Sequence, residues 1–301
     1  MKILITGANG SLGTELLTRL RDSGNEIIVL AFDQNDTNNL KQFRSIKIIY
    51  GNVCQLSNDF LKQYLSDVDV FIHLAAVVHQ PKAAKELYYQ VNYEATKRLS
   101  DAYNKYSTSR IKQFIFISTV AVYGNYQSAE YSEDSASLPD TPYGESKQRA
   151  EDYLRSAFSN SSLKSTILRP ATIYGGPNDK GNIARMIKIL RRFHFFPLFD
   201  SGKTLKSFVY VGDVAQAIIN CLNNQEAFGQ IFNISAPPLS LKDIIKRLAS
   251  KLGLRILTVP VPSFLLQMIN PKSKLCQNNT YSFQKARRVF HYLPRTFPDG
   301  L

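Results

Sequence analysis

Six short apolar runs, each followed by a stretch with helical patterning, constrain this 301-residue chain more than any other feature it has. They are "KILIT" (2–6), "EIIVLAF" (26–32), "SIKIIY" (45–50), "DVFIHLAA" (69–76), "KQFIFIST" (112–119) and "KSTILRP" (164–170). The runs are continuously apolar rather than alternating, as strands buried on both faces of a parallel sheet must be. Between the first two, Leu12, Leu16, Leu17 and Leu20 share one helical face, stopped by Gly24, and longer helical stretches cover 81–106 and 143–158. Strand and helix alternating in this way predict an α/β protein with a doubly wound parallel sheet. After Pro170 the regularity fails. Residues 171–208 read as loop and helix, "QIFNIS" (230–235) as another strand and 240–252 as an amphipathic helix. The expected division is a sheet domain over 1–170, with a later strand contribution near 207–235, and a smaller C-terminal substrate lobe over 171–301.

The first strand runs into "ITGANGSLGTEL", with Gly7, Gly10 and Gly13 between strand and helix. Glycines there permit a tight turn and let backbone amides approach a pyrophosphate at the positive end of the helix. Ser11 and Leu12 would supply those amides. This is the dinucleotide site of a Rossmann-type sheet, for which an acidic residue should follow the second strand. Asp33 in "VLAFDQND" fills that place, slightly late, and no arginine lies nearby for a 2′-phosphate. NAD is favoured as cofactor, with NADP left open.

The bulk figures fit an ordinary globular protein, 44% hydrophobic and 20% charged. Cys54, Cys221 and Cys276 lie far apart and show no metal-ligand pairing, so neither a disulfide framework nor a metal site is expected, and the compartment reads as cytosolic. "MKILITGANG" is too short and too interrupted for a signal peptide, and no apolar stretch approaches the roughly 18 residues of a membrane span. The net charge of +13 is the unusual figure. Much of it sits in "MIKILRRFHF" (186–195), where Arg191 and Arg192 read as a solvated helix face, and in Lys272, Lys274, Lys285, Arg287, Arg288 and Arg295. Such charge can serve nucleic acid, an anionic membrane surface or an acidic substrate. No RNP1-like, zinc or arginine-glycine motif accompanies it, so no nucleic-acid partner is expected.

"TPYGESK" (141–147) carries the chemistry. On a helix, Tyr143 and Lys147 lie one turn apart on one face. A phenol is a poor base at neutral pH, with a pKa near 10. An ammonium about 4 Å away would stabilise the phenolate by roughly 4 kcal/mol at an effective dielectric of 20, worth on the order of three pKa units. Tyr143 would then exchange a proton near working pH. Thr119 ends the fifth strand at the carboxyl edge, where open α/β sheets bind ligands, and its hydroxyl would orient a substrate oxygen.

Taken in order, these pieces resemble the extended short-chain dehydrogenase/reductase superfamily, the NAD-dependent epimerase/dehydratase group, along nearly the whole chain. The matching segments are "GANGSLG", "GNV" (51–53), "HLAA" (73–76), Asn92 in "QVNYEAT", "ISTVAVYG", Tyr143 with Lys147, "LRPATIYGGP" (168–177), "SFVYVGDVAQAI" (207–218) and "SFQKARRVFHYLP". "HLAAVVH", "DKGNIARMIKILRR" and "PLFDSGKTLKSFVYV" are most similar to a bacterial branch of sugar-nucleotide epimerases and 4-ketoreductases of surface-polysaccharide synthesis. The resemblance implies that Asn52, Val53, Leu74, Ala75, Ala76, Asn92 and Pro170 line the cofactor and that Lys147 anchors the nicotinamide ribose. His79, Thr119, Asn182 and Lys206 become the candidates for contacts to a nucleotide-sugar substrate.

Two departures narrow the reading. Relatives that dehydrate their sugar carry acidic residues just after the strand-end threonine, where this chain has Val120 and Ala121. Many relatives clamp the diphosphate with an arginine where Lys206 stands; lysine keeps the charge and loses the bidentate fork. The expected function is hydride transfer at sugar C4 with Tyr143 as acid/base. A hydroxysteroid- or flavonol-type ketoreductase is the alternative within the superfamily. A cofactor-sensing or RNA-binding derivative is the alternative outside catalysis, and such derivatives commonly lose the Tyr-x-x-x-Lys pair that this chain keeps. A homodimer through helices 83–106 and 145–158 is a family expectation, as is a final helix beyond "PRTFPDGL".

Overall fold

Because the apolar runs are followed by helices, each must return to pair in parallel with a neighbour. A computed structural model gives the result; residues 1–78, 84–125, 130–176, 179, 181–264, 268 and 276–301 are described. Seven parallel strands form the central sheet: β1 (Lys2–Thr6), β2 (Glu26–Ala31), β3 (Ile46–Tyr50), β4 (Val70–His73), β5 (Gln113–Ile117), β6 (Lys164–Pro170) and, much later, β11 (Ile231–Ile234). Their order is β11-β6-β5-β4-β1-β2-β3, so the winding reverses between β1 and β4. The register sets Ile3 against Val70 and Thr6 against His73, which brings both strand ends to the same edge.

One face of the sheet is covered by α1 (Ser11–Leu20), which buries Leu16, Leu17 and Leu20. The opposite face holds α2 (Asn58–Leu65), a continuous helix made of α3 (Lys85–Tyr88), a π-helical turn (Tyr89–Glu94) and α4 (Ala95–Tyr106), and then α5 (Pro142–Phe158). β4 ends at His73, earlier than the apolar run to Ala76 suggests, because Leu74 and Ala75 turn away to cap the glycine loop.

Past Pro170 the chain builds a small lobe from β7 (Thr172–Tyr174), α6 (Asn182–Phe193), β8 (Phe195–Phe199), β9 (Leu205–Lys206), β10 (Phe208–Tyr210), β12 (Leu239–Ser240), α8 (Leu241–Leu252) and β13 (Leu257–Val261). Its core is separate, with Tyr174, Ile183, Leu190, Leu198, Leu241, Ile244, Ile245 and Leu248 at the centre. The chain also returns to the sheet. α7 (Val211–Cys221) packs beside α1, β11 joins β6, and α9 (Gln284–Phe290) closes over the same core. Among the described residues, no helix is long and apolar enough to cross a membrane and no group of three His, Cys, Asp or Glu side chains could hold a metal ion. All three cysteines are free.

Candidate active site

The three glycines of the first turn do different work. Gly7 has φ +70°, and a Cβ there would stand 2.6 Å from the Ala75 amide nitrogen. A Cβ on Gly13 would meet the Cα of Ala8 at 2.4 Å. Both positions are fixed by the protein's own backbone. Gly10 is different: the nearest atom to its Cβ position is the Gly7 carbonyl at 3.4 Å, an ordinary contact. Gly10 is also the N-cap of α1 and gives that helix no side-chain cap. An open approach to uncapped amides at a helix N-terminus fits a pyrophosphate. Ser11 and Leu12 lie in this first turn, and the Ser11 hydroxyl donates to the Gly175 carbonyl at 3.4 Å.

Around this turn the strand ends are tied together. The Thr6 hydroxyl sits 2.7 Å from Nδ1 of buried His73, whose Nε2 is 3.0 Å from the Thr96 hydroxyl. The Ala75 amide donates to Thr6 Oγ1, and the Leu74 amide to the Thr6 carbonyl. Burial, with the Lys147 charge adding to it, pushes His73 down to about 3, so the ring is neutral. Asn92 lies in the π-helical turn and uses its side-chain amide twice on Val77, at 2.8 and 3.0 Å, and once on the Ser146 hydroxyl. It fastens the loop holding Leu74, Ala75 and Ala76 to α5. At the other end of the cleft, Asp33 accepts from the Asn35 amide at 2.8 Å, and Asn52 accepts from Cys54 beside Val53. Pro170 closes β6 opposite Ile234.

α5 begins as its sequence dictates. Thr141 caps it by accepting from the Gly144 amide at 3.1 Å, Pro142 takes the first helical position and Glu145 the first turn. Gly144 faces the Ala121 carbonyl, 2.6 Å from where a Cβ would sit. That close approach seats Tyr143 against Thr119, which caps the short 3-10 helix Val120–Tyr123 through the Ala121 amide.

The electrostatics differ from the expectation of an acidified phenol. Burial pushes Tyr143 up to about 12, offset in part by the hydrogen bond with Thr119 and reinforced by neighbouring Tyr88. Lys147 is not among the groups that shift it. The Lys147 ammonium donates to the Ile117 carbonyl at 2.7 Å and lies 4.4 Å from the centre of the Phe116 ring. Burial lowers Lys147 to about 7, against an opposing pull from Glu151. The cause is simple: the expectation counted the attraction between ammonium and phenolate and left out the cost of burying the two groups, and desolvation dominates here.

Sequence reading missed the layer below. Glu151 accepts from the Ser118 hydroxyl and pairs with Arg169 Nε at 3.0 and 3.1 Å, all of it buried. Tyr143, Lys147 and Glu151 are successive fourth residues of α5, and that spacing was the available signal. In the lobe, Lys206 donates to the Gln277 carbonyl at 2.6 Å and to Asn279, which reaches Asn125 just beyond the Thr119 turn. Asn182 is exposed at the start of α6, behind a loop organised by Asp179. His79, Lys272 and Lys274 lie outside the described residues.

The family model for the NAD dependent epimerase/dehydratase family matches residues 3–235. The chain belongs to this family. As a member it is an enzyme. Among curated family members, it is 28% identical over 86% of its length to N-acetyl-alpha-D-glucosaminyl-diphospho-ditrans,octacis-undecaprenol 4-epimerase of Escherichia coli O157:H7, of which it covers 75%. It is 27% identical, over 86% of this chain and 78% of the other, to UDP-glucose 4-epimerase of Vibrio cholerae. Among solved structures, UDP-glucuronic acid 4-epimerase of Bacillus cereus in complex with NAD superposes with a TM-score of 0.81 at 25% identity, over all of this chain and 96% of that one.

Proposed function

We propose that the protein is an NAD-dependent 4-epimerase of a diphosphate-linked sugar, with a nucleotide sugar as the first substrate class. The observation that carries the reading is Tyr143 meeting Thr119 at the carboxyl edge of β5, beside a glycine turn open at Gly10. Positions 120 and 121 are valine and alanine, so no carboxylate follows Thr119 to drive loss of water from the sugar. Both 4-epimerases and dTDP-D-glucose 4,6-dehydratases occur among the relatives, so the choice of epimerase rests on positions 120 and 121.

When bound, NAD supplies a hydride acceptor facing the sugar and a positively charged ring in the same place. Gly10, Ser11 and Leu12 would hold its pyrophosphate, Asp33 its adenosine ribose, and Lys147 its nicotinamide ribose. Tyr143 takes and returns the proton of the 4-hydroxyl, and Thr119 fixes that oxygen in line with the phenol. The chain's own groups hold the phenol protonated at neutral pH. Taking the substrate proton therefore requires positive charge beyond what the protein supplies. Asn182 and Lys206 would contact sugar and diphosphate from the lobe side.

A second substrate reading, a sugar diphosphate carried on a polyprenol, is favoured by one observation: Phe193 and Leu257 stand exposed on the lobe, 61% and 66% accessible. We further propose a cytosolic homodimer joined along α4 and α5, acting in polysaccharide biosynthesis. The free cysteines and the exposed outer faces of both helices support the first two points.

The test is to purify the protein, extract and identify any bound nicotinamide, and offer UDP-hexoses while following reduced-nicotinamide absorbance and sugar configuration. Retained NAD with inversion at C4 and no net absorbance change is the expected result. Stoichiometric consumption of reduced cofactor would make it a ketoreductase. No turnover of any UDP- or polyprenyl-linked sugar would discard the proposal.

A further inference from the structure

The charge of this protein is not spread over it. Residues 180–301 contain 18 of the 37 lysines and arginines but only 5 of the 24 acidic residues, a surplus of 13. Residues 1–179 contain 19 of each and are neutral. The whole net charge of +13 therefore belongs to the lobe and the segments that follow it. From Lys180 to Phe199, and again from Ile244 to Pro298, there is no Asp or Glu at all.

This charge coincides with an apolar surface. On α6, Ile183 and Leu190 point into the lobe core, which leaves Arg185, Lys188, Ile189 and Arg192 outward at three- and four-residue spacing. The helix ends on exposed Phe193 and His194, and the chain turns directly into β8. β8 pairs in parallel with β13, Leu257 beside Phe195 and Val259 beside Pro197. Phe196, Leu198 and Ile256 face the core, so the alternation of the strands turns Phe195, Leu257 and Val259 outward. The result is a ridge of Phe193, Phe195, Leu257 and Val259 flanked by Arg191, Arg192 and Arg255, all exposed.

We propose that this face, the outer side of α6 with the β8–β13 ribbon, docks on an anionic phospholipid surface. Apolar side chains standing in the centre of an uncompensated basic field fit an interface where acyl chains lie beneath negative headgroups. Long arginine stems lie along apolar surface while their heads stay at the phosphate level. Phe193 and Phe195 could stack on bases, but the aliphatic Leu257 and Val259 completing the ridge add only apolar surface, which a lipid interface uses and a single strand does not. Nothing in the proposal depends on the identity of the sugar substrate. It adds a peripheral mode of attachment to a chain whose described helices cannot span a bilayer.

The test is flotation of the full-length protein with phosphatidylcholine vesicles, with and without roughly 30 mol% phosphatidylglycerol. Binding is expected only to the anionic vesicles and should weaken with added salt. R191E/R192E should lower the affinity by more than about tenfold, and F193S/L257S should lower it comparably while leaving the melting temperature unchanged. R255E is the reserve variant should either pair lose its fold. No binding to anionic vesicles would overturn the proposal. So would binding that survives F193S/L257S and is competed equally by heparin, the mark of a general polyanion site. Loss of a concentration-dependent dimer in F193S/L257S, with vesicle binding intact, would assign the face to a second copy instead. Because vesicle binding is read without turnover, its failure is distinct from failure of the epimerase assignment.

Discussion

The sheet half and the lobe solve the same problem, burying enough apolar surface to fold, in opposite ways. The sheet half, neutral over residues 1–179, is built from strands buried on both faces, and its candidate site residues also serve its folding: Gly7 and Gly13 are backbone contacts, Asn92 is a fastener, and Lys147 is 1% exposed. The lobe carries most of the net charge of residues 180–301 on a small core with several very short strands, and its candidate site residues Asn182 and Lys206 lie nearer the surface. The proposed chemistry thus lies on buried, tightly packed elements, and the proposed recognition on more exposed ones.

The largest test of that division is Tyr143→Phe. It should lower turnover by about 10²–10⁴-fold while NAD content and sugar affinity, measured by calorimetry, stay near wild type. Retained turnover would break the assignment of chemistry to the sheet half. Next comes Glu151→Leu, which leaves the Arg169 guanidinium buried without its partner. Urea unfolding should show a loss of about 3–5 kcal/mol, far more than an exposed lobe charge could produce. Gly7→Ala forces a side chain onto a left-handed backbone and should destabilise by about 1–3 kcal/mol. Gly10→Ala should leave stability within about 0.5 kcal/mol and weaken NAD retention, since only the open approach is filled. Equal losses at both glycines would mean that the turn has no ligand-facing member.

On the lobe side, Lys206→Met should raise KM about tenfold with kcat unchanged, the pattern of lost ground-state binding. A fall in kcat would blur the comparison. A further expectation concerns pH. Lys147 is lowered to about 7 in the folded protein, so between there and its ordinary range near 10.5 the unfolded chain binds the extra proton. Stability of the cofactor-free protein should therefore rise with pH across that window, by at most about 1.4 kcal/mol per unit. The contribution is complete above 10.5 and lost as pH falls to 7. Lys147→Met should flatten the slope, as read from urea titrations at several pH values.

The sheet was legible because its rules are local. Continuous β-branched runs, a glycine turn and the cap-proline start of α5 announce themselves within ten residues. Tyr143 and Thr119 as separate candidates followed from the same logic, since strand end and helix start are both local marks, while their hydrogen bond to each other did not. The state of Lys147 did not follow, because its partner is a backbone carbonyl, Ile117, thirty residues away, and its burial is a tertiary fact. The Glu151–Arg169 pair was half visible, as a fourth-residue stripe on α5 without a stated partner. The lobe was the least legible. Pairings such as β8 with β13 join segments some sixty residues apart, and two-residue strands such as β9 and β12 leave no periodicity to read.

One detail of the join between the halves sets a dimension. Gly175 and Gly176 both sit at positive φ, and a Cβ on Gly176 would lie 2.6 Å from the Ser11 hydroxyl at the mouth of the dinucleotide turn. With no side chain at Gly176, the main chain there lies directly against the Ser11 hydroxyl. Adding one carbon would push aside either that hydroxyl or the strand leading into α6. The approach of the lobe to the glycine turn is thus set by a bare stretch of main chain, a ruler that side-chain drift elsewhere in the lobe cannot reset.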